Sequence, residues 1–316
     1  MQLHGIHHVT AVTGDVSVNH QFYTRVLGLR LVKKTVNQDD TSAYHLFYAD
    51  KLGSPGTDMT FFDWPQTAPN RRGTDSISNT MFRVNGSAAL DYWVTRLDAH
   101  NVKHEGITMA AGRSVLRLDD PEGQRLTLVD DGGEPFEGEL WDGADVPLDF
   151  AIRGFFGITL TVPELHRTTL ILTELLKFQE ISRSTDDPNE TLIVFGMDGG
   201  GAGKEVHVIQ PKNMPRAMLG RGGVHHAAFR VTNEAEQLAW EERLAQVGVP
   251  NSGQIDRFYF KSLYFRISDS ILFELATDGP GFAADESLDT LGERLALPPF
   301  LEPQRAQIES RLKPIN

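Results

Sequence analysis

The chain has 316 residues, 40% of them apolar and 23% charged, with 29 glycines, 16 prolines and no cysteine, and a formal net charge of −13. That is an ordinary globular composition, long enough to bury a substantial core, and it excludes disulfides, thiolate metal sites, iron–sulfur clusters and a cysteine nucleophile. The acidic balance argues against a nucleic-acid partner, which needs clustered Lys and Arg. No apolar run approaches the ~18–20 residues of a membrane span, and no secretory leader is visible, so a reducing cytosol is the expected compartment.

Residues 6–12, IHHVTAV, read as a strand rich in β-branched residues. An amphipathic helix follows in VSVNHQFYTRVLG, with Val18, Phe22, Val26 and Leu27 at helical spacing and Gly28 as its stop. LRLVKKTV, AYHLFYAD and DMTFFDWP then read as three strands. The same order returns over residues 77–131, where ISNTMFRV leads through the helix AALDYWVTRLDAHN to HEGITMA, RSVLRLDD and RLTLVDD. It returns again over 154–211, from GFFGITLTV through RTTLILTELLKF to LIVFGMDGGG and KEVHVIQP. A fourth copy, 222–278, runs from GVHHAAFRV through EAEQLAWEERLAQVG to DRFYFKSLYFRIS and ILFELATD. A repeat of about 50–60 residues implies stacked supersecondary units, none of which covers its own sheet face alone. Residues 132–153 separate the two halves, and the segment after 284 lies outside the repeat and ends in the amphipathic EPQRAQIESRLK.

Strand–helix–three-strand modules with HHVT…FYTRVLGLRLVKKTVN resemble the vicinal oxygen chelate superfamily of glyoxalases, bleomycin-resistance proteins and extradiol dioxygenases. LVKKTVN, GSPGTDMTFFDWP, GGVHHAAFRV, DRFYFKSLYFR and ILFELATDGPGF are similar to its hydroquinone-type ring-cleaving dioxygenase branch, and the resemblance runs over nearly the whole chain. It implies an α+β fold in which four strand–helix–three-strand modules form two open barrel-like mixed β-sheets. The corresponding division is a first glyoxalase-like domain (1–150), a second (151–284) and a C-terminal helical tail (285–316).

Two His and one carboxylate on one face suit a non-haem Fe(II) with positions left open for O₂ and an organic substrate. Strand alternation puts His8 with Thr10 and Val12, His226 with Ala228 and Arg230, and Glu274 with Leu272 and Ala276, and turns His7 and His225 to the opposite faces. A carboxylate within the apolar ILFELAT is costly unless a cation offsets it. In the family pattern the second His of each doublet and the late-strand Glu are the iron ligands, which implies His8, His226 and Glu274. The site would then join the two ends of the chain. GFFGITLTV has no His where many two-domain extradiol enzymes supply one, and this favours the same arrangement.

The resemblance also places Arg257 and Tyr264 beside the bound substrate. Arg257 would stabilise developing negative charge, and Tyr264 would hydrogen-bond to or deprotonate a phenolic oxygen. His7 and His225 would fix the ligands or accept a substrate proton, and Thr10 is a weaker candidate behind them. The implied cofactor is Fe(II), with Mn(II) as a substitute the donor set admits. The implied partners are a small aromatic substrate and O₂, in a chain compatible with a homo-oligomer. Both oxygen atoms would enter the ring-opened product.

Two alternatives share this scaffold. A non-redox glyoxalase- or epimerase-like lyase or isomerase would need a fourth ligand from TFFDWP, where Phe62 holds the expected position and only an inward Asp63 could ligate. A resistance protein that binds an aromatic compound would lack the triad. DGGGAGKE (198–205) reads as a hairpin turn and not a phosphate loop, because Glu205 stands where Ser or Thr is required. His207 is the third module's counterpart of Glu274, read as a remnant. His4, His20, His45, His100, His104 and His166 show no partner pattern.

Overall fold

The structure is a computed structural model that describes residues 1–315; Asn316, the last residue of the expected tail, lies outside the described residues. Module one comprises β1 (Ile6–Thr13), α1 (Val16–Gln21), β2 (Arg30–Asn37), β3 (Asp40–Ala49) and β4 (Asp58–Asp63). Asp15 caps α1 by accepting the Ser17 and Val18 amides, satisfying two donors that a helix start leaves free. The helix continues into a wider π turn over Phe22–Val26, and its buried side runs through Val16, Asn19, Tyr23 and Leu27. Val18, expected on the apolar face, is therefore turned outward and is 41% exposed.

Module two holds β5 (Ser76–Val84), α2 (Gly86–Ala99), β6 (His104–Ala110), β7 (Arg113–Asp119) and β8 (Arg125–Asp130). Module three holds β9 (Phe155–Thr161), α3 (Leu165–Leu170), β10 (Gln179–Ser184), β11 (Glu190–Gly196) and β12 (Glu205–Pro211). The polar, exposed edge strand β10 has no apolar alternation to announce it. Module four holds β13 (Val224–Val231), α4 (Glu234–Gln246), β14 (Asn251–Asp256), β15 (Lys261–Arg266) and β16 (Leu272–Thr277). DRFYFKSLYFRIS, read as one strand, is instead a turn followed by β15: Phe258 takes φ +72°, which ends the pairing after Asp256.

In every module the first strand pairs in parallel with the last, and the modules join in twos through antiparallel first strands. One eight-stranded sheet has the order β14-β15-β16-β13-β1-β4-β3-β2, and the other β10-β11-β12-β9-β5-β8-β7-β6. Modules one and four share the first sheet, and modules two and three share the second. The division at residue 150/151 thus marks the middle of the chain and not a boundary between sheets, since each half contributes one module to each. The fold is α+β, two curled mixed sheets of the vicinal oxygen chelate type.

One continuous apolar core lies behind both sheets, with Trp93 of α2 and Trp240 of α4 fully buried in it. The residues after β16 fold back over the first sheet as short turns and α5 (Arg305–Glu309). There Leu297, Leu301 and Ile308 pack on Val36, and Phe282 packs among Val32, Phe47 and Tyr259. Lys33, with a side chain 0% exposed, anchors this tail through Asp285 at 2.7 Å, the Glu286 carboxylate and the Phe282 carbonyl at 3.1 Å. Among the described residues no helix is long and apolar enough to cross a membrane.

Candidate metal centre

Because β1 and β13 lie side by side, the two histidine doublets, some two hundred residues apart, meet at the centre of the first sheet. His8 Nε2 and His226 Nε2 are 3.2 Å apart and lie 3.2 and 3.0 Å from Glu274 Oε2. His8 is 2% exposed, His226 3% and Glu274 0%. Both imidazole nitrogens approach Oε2 at ion-pair distance without hydrogen-bond alignment, so neither oxygen of this buried carboxylate has a donor. Burial alone would raise the Glu274 pKa, but His8 and His226 hold it well below the usual carboxylate range. Burial also pushes the pKa of His226 down, against the pull of Glu274. Three electron-pair donors thus converge in a dry space, where an unpaired ion costs several kcal/mol. The donor set is complementary to a cation, and its N₂O chemistry suits a divalent metal with open positions.

Strand alternation sends His7 and His225 away from the site, and the structure corrects this. The pairing runs Ile6↔Phe229 then His8↔Ala228, and Thr10↔His226 then Ala11↔Val224, so His7 and His225 are each the extra residue of a β-bulge. A bulge breaks the alternation and lets adjacent side chains turn toward each other. His7 Nδ1 lies 2.9 Å from His8 Nδ1, and His225 Nδ1 lies 2.8 Å from His226 Nδ1. Burial, then the neighbouring histidine, pushes both outer imidazoles down to about 3, leaving them neutral. A neutral outer imidazole can accept the Nδ1–H of its partner, which frees Nε2 of His8 and of His226 as an electron-pair donor.

The same sheet register locates the remaining wall. His8↔Asp58 and Thr10↔Thr60 match His226↔Leu272 and Ala228↔Glu274, so the twin of Glu274 in module one is Thr60 and not Phe62. Asp63 is not inward either: it lies near Asp15, Glu122 and Lys313, and burial pushes it up to about 6. Thr10 Oγ1 is 3.0 Å from His226 Nε2 and 2.8 Å from Thr60 Oγ1, which in turn is 3.0 Å from His45 Nε2. His45 and Thr60 are site residues that the sequence reading passed over. Phe62 and Trp64 flank His225, and Phe260 stacks 5.2 Å from both His7 and His8.

Tyr264 pairs across the sheet with Glu274, and its ring meets His226 edge-on at 5.7 Å. Burial and then Glu274 raise its phenol above the usual range, only partly opposed by Arg257. Arg257 sits 5.7 Å over the Tyr264 ring and is clamped by both oxygens of Asp39 at 3.1 and 2.8 Å. The clamp was invisible in sequence because Asp39 lies in the distant β2–β3 turn.

A cavity of about 1230 Å³ opens not at the triad but against the concave face of the other sheet. There the twins of His8, His226 and Glu274 are Asn79, Gly157 and His207. A Cβ at Gly157 would sit 2.5 Å from the Glu205 carbonyl oxygen, so no side chain can stand where His226 does. His207 is bonded instead to Glu205 at 2.8 Å. The bulges persist at Ser78 and Phe156, but the donor set exists once among the described residues.

Residues 5–128 and 154–278 each match the family model of the Glyoxalase/Bleomycin resistance protein/Dioxygenase superfamily. The chain is 48% identical over 316 residues, all of both proteins, to the "Putative ring-cleaving dioxygenase MhqA" of Bacillus subtilis (strain 168). It is 30% identical over 307 residues to the chlorohydroquinone/hydroquinone 1,2-dioxygenase of Sphingobium indicum, spanning 95% of this chain and 93% of that one. A crystal structure of a "putative dioxygenase" from Bacillus subtilis subsp. subtilis str. 168 superposes with a TM-score of 0.91 at 36% identity, covering 100% of this chain and 98% of the other. Glyoxalase I from Zea mays shares the fold alone, with a TM-score of 0.62 at 14% identity over 87% of this chain and 92% of that one.

Proposed function

This chain belongs to the glyoxalase/bleomycin resistance protein/dioxygenase superfamily, and from that premise we propose that it is a ring-cleaving dioxygenase opening a hydroquinone or related phenol with O₂ at an Fe(II) held by His8, His226 and Glu274. The observation that carries the reading is the buried carboxylate with no hydrogen-bond donor, faced by two imidazole nitrogens. Full-length similarity to a hydroquinone dioxygenase supports the substrate class. Iron bound there supplies the one-electron steps that allow O₂ to react with a closed-shell ring.

The chain's own residues then have distinct tasks. His7 and His225 hold the tautomers of His8 and His226. Tyr264, kept protonated by its raised pKa, donates a hydrogen bond to a phenolic oxygen and does not act as a base. Arg257, oriented by Asp39, offers positive charge to the same oxygen. Phe62, Trp64 and Phe260 exclude water and stack on an aromatic ring. A non-redox lyase would draw a fourth ligand from Thr60, but that hydroxyl is neutral and already bonded to Thr10 and His45. The absence of cysteine leads us to infer a reducing cytosol.

The test is O₂ consumption by anaerobically prepared, Fe(II)-reconstituted protein with methylhydroquinone, chlorohydroquinone and catechol. One O₂ consumed per ring opened is the expected result, ranked by substrate. A protein that binds Ni(II) or Zn(II) tightly but no Fe(II), and consumes no O₂, would overturn the reading.

A further inference from the structure

The row of polar side chains beside His226 continues past the ligands. Thr10 and Thr60 are both 0% exposed, and their hydroxyls join each other at 2.8 Å, with His226 Nε2 at one end and His45 Nε2 at the other, 3.0 Å away in each case. Three strands place them: Thr10 on β1, Thr60 beside it on β4, and His45 on β3 two residues from Phe47, the partner of Thr60. A site symmetric about the β1/β13 pair would have a second carboxylate at Thr60. The chain has a hydroxyl there instead, which both donates and accepts.

His45 is half-buried, held between Phe47 and Phe62 at centroid distances of 4.1 and 4.5 Å. Its Nε2 faces Thr60, and its Nδ1 is absent from the buried unpaired atoms, so that nitrogen reaches water. The row therefore links an interior with no other outlet for a proton at Thr10 to a titratable ring at the edge of the site.

Building on the dioxygenase reading, we propose that Thr10, Thr60 and His45 form a proton path that takes up the phenolic proton of a substrate bound beside Thr10 and returns it when the ring opens. The substrate O–H breaks as a new O–H forms on Thr10. The Thr10 proton passes to Thr60 and the Thr60 proton to His45 Nε2, which becomes an imidazolium. Reversal over the same atoms restores every hydroxyl, so no oxidant, reductant or net proton is required. Burial above all, and then His8, His226 and Arg257, disfavour the charged ring against the opposing pull of Glu274, so His45 releases its proton readily instead of trapping it. His45 and Thr60 act through Thr10 and are relay residues.

The experiment compares Thr60→Val, Thr60→Ser and His45→Ala with the wild type. Thr60→Val should lower kcat about a hundredfold with KM nearly unchanged and alter the solvent deuterium isotope effect, while Thr60→Ser retains wild-type behaviour. Free imidazole should restore part of the His45→Ala rate. In metal-free protein, the His45 ¹⁵Nε2 resonance should move in Thr60→Val and stay in place in Thr60→Ser. An active wild type matched by Thr60→Val in rate and isotope effect overturns the path alone. An unmoved His45 resonance in Thr60→Val overturns it as well. A wild type that consumes no O₂ with any phenol overturns the dioxygenase reading, and the path with it.

Discussion

Replacing Lys33 with methionine tests how the tail is held over the site. The ammonium is fully buried between Asp285 and Glu286, accepts nothing itself, and lies 4.7 Å over the Tyr259 ring. Methionine fills the space of the stem but strands the Glu286 carboxylate. One oxygen of that group already lacks a hydrogen-bond partner, and Arg294, at 3.6 Å, is exposed. Removing one member of a buried pair costs about 3–5 kcal/mol; with Arg294 as partial relief, about 3 kcal/mol is expected. Substituting Glu286→Gln in the same chain removes the stranded charge and should recover much of that loss, giving a coupling energy of about 1–3 kcal/mol in the double-mutant cycle. Urea unfolding of the four proteins measures both quantities. Hydrogen exchange should show the loss concentrated at residues 282–296. The same change should raise KM, because Phe282 of the tail completes the apolar wall with Phe47 and Ala228. A Lys33→Met protein within about 0.5 kcal/mol of wild type, with no coupling to Glu286, would refute this account.

Asp120 gives a pH dependence. Burial pushes its carboxyl up to about 6, despite hydrogen bonds from the Gln124 and Glu122 amides. The folded state therefore holds the proton more tightly than the unfolded one. Stability should be highest below about pH 4, fall by up to about 3 kcal/mol between pH 4 and 6, and stay level above. Asp120→Asn should flatten that slope in urea titrations at pH 4.5, 5.5 and 7, and an unchanged slope would contradict the assignment. His225→Ala should keep the fold but weaken metal affinity about 10–100-fold, because the 2.8 Å bond to His226 is lost; equilibrium dialysis against Mn(II) checks this. Gly292→Ala puts a Cβ 2.0 Å from the Leu31 carbonyl oxygen at φ +75°. It should cost well over about 1 kcal/mol and loosen the tail, read as faster proteolysis after residue 285.

The module order was legible because each copy carries a strand of β-branched residues followed by helical spacing, signals that need no partner. The triad was legible for a related reason: the two doublets and the isolated Glu274 stand in local settings that repeat. What escaped reading depends on cross-strand register. Alternation alone turned His7 away, whereas the bulge that brings it to His8 exists only once β1 pairs with β13. One step of parallel register separates Thr60 from Phe62 as the twin of Glu274. His45 looked solitary because its partner Thr60 is on the next strand. Strand β10 is polar and exposed at a sheet edge, where packing imposes no pattern. Lys33, in LVKKTVN, is an ordinary cation until the tail folds over it.

The claim that the ends of the chain build one metal centre is tested most directly by titrating metal-free protein with Mn(II) and following the free-ion EPR signal. Wild type should take up one Mn(II) per chain, while Glu274→Gln and His226→Ala, folded as judged by circular dichroism, should take up none at the same concentrations. Stoichiometric uptake by both variants would place the metal elsewhere and contradict the account.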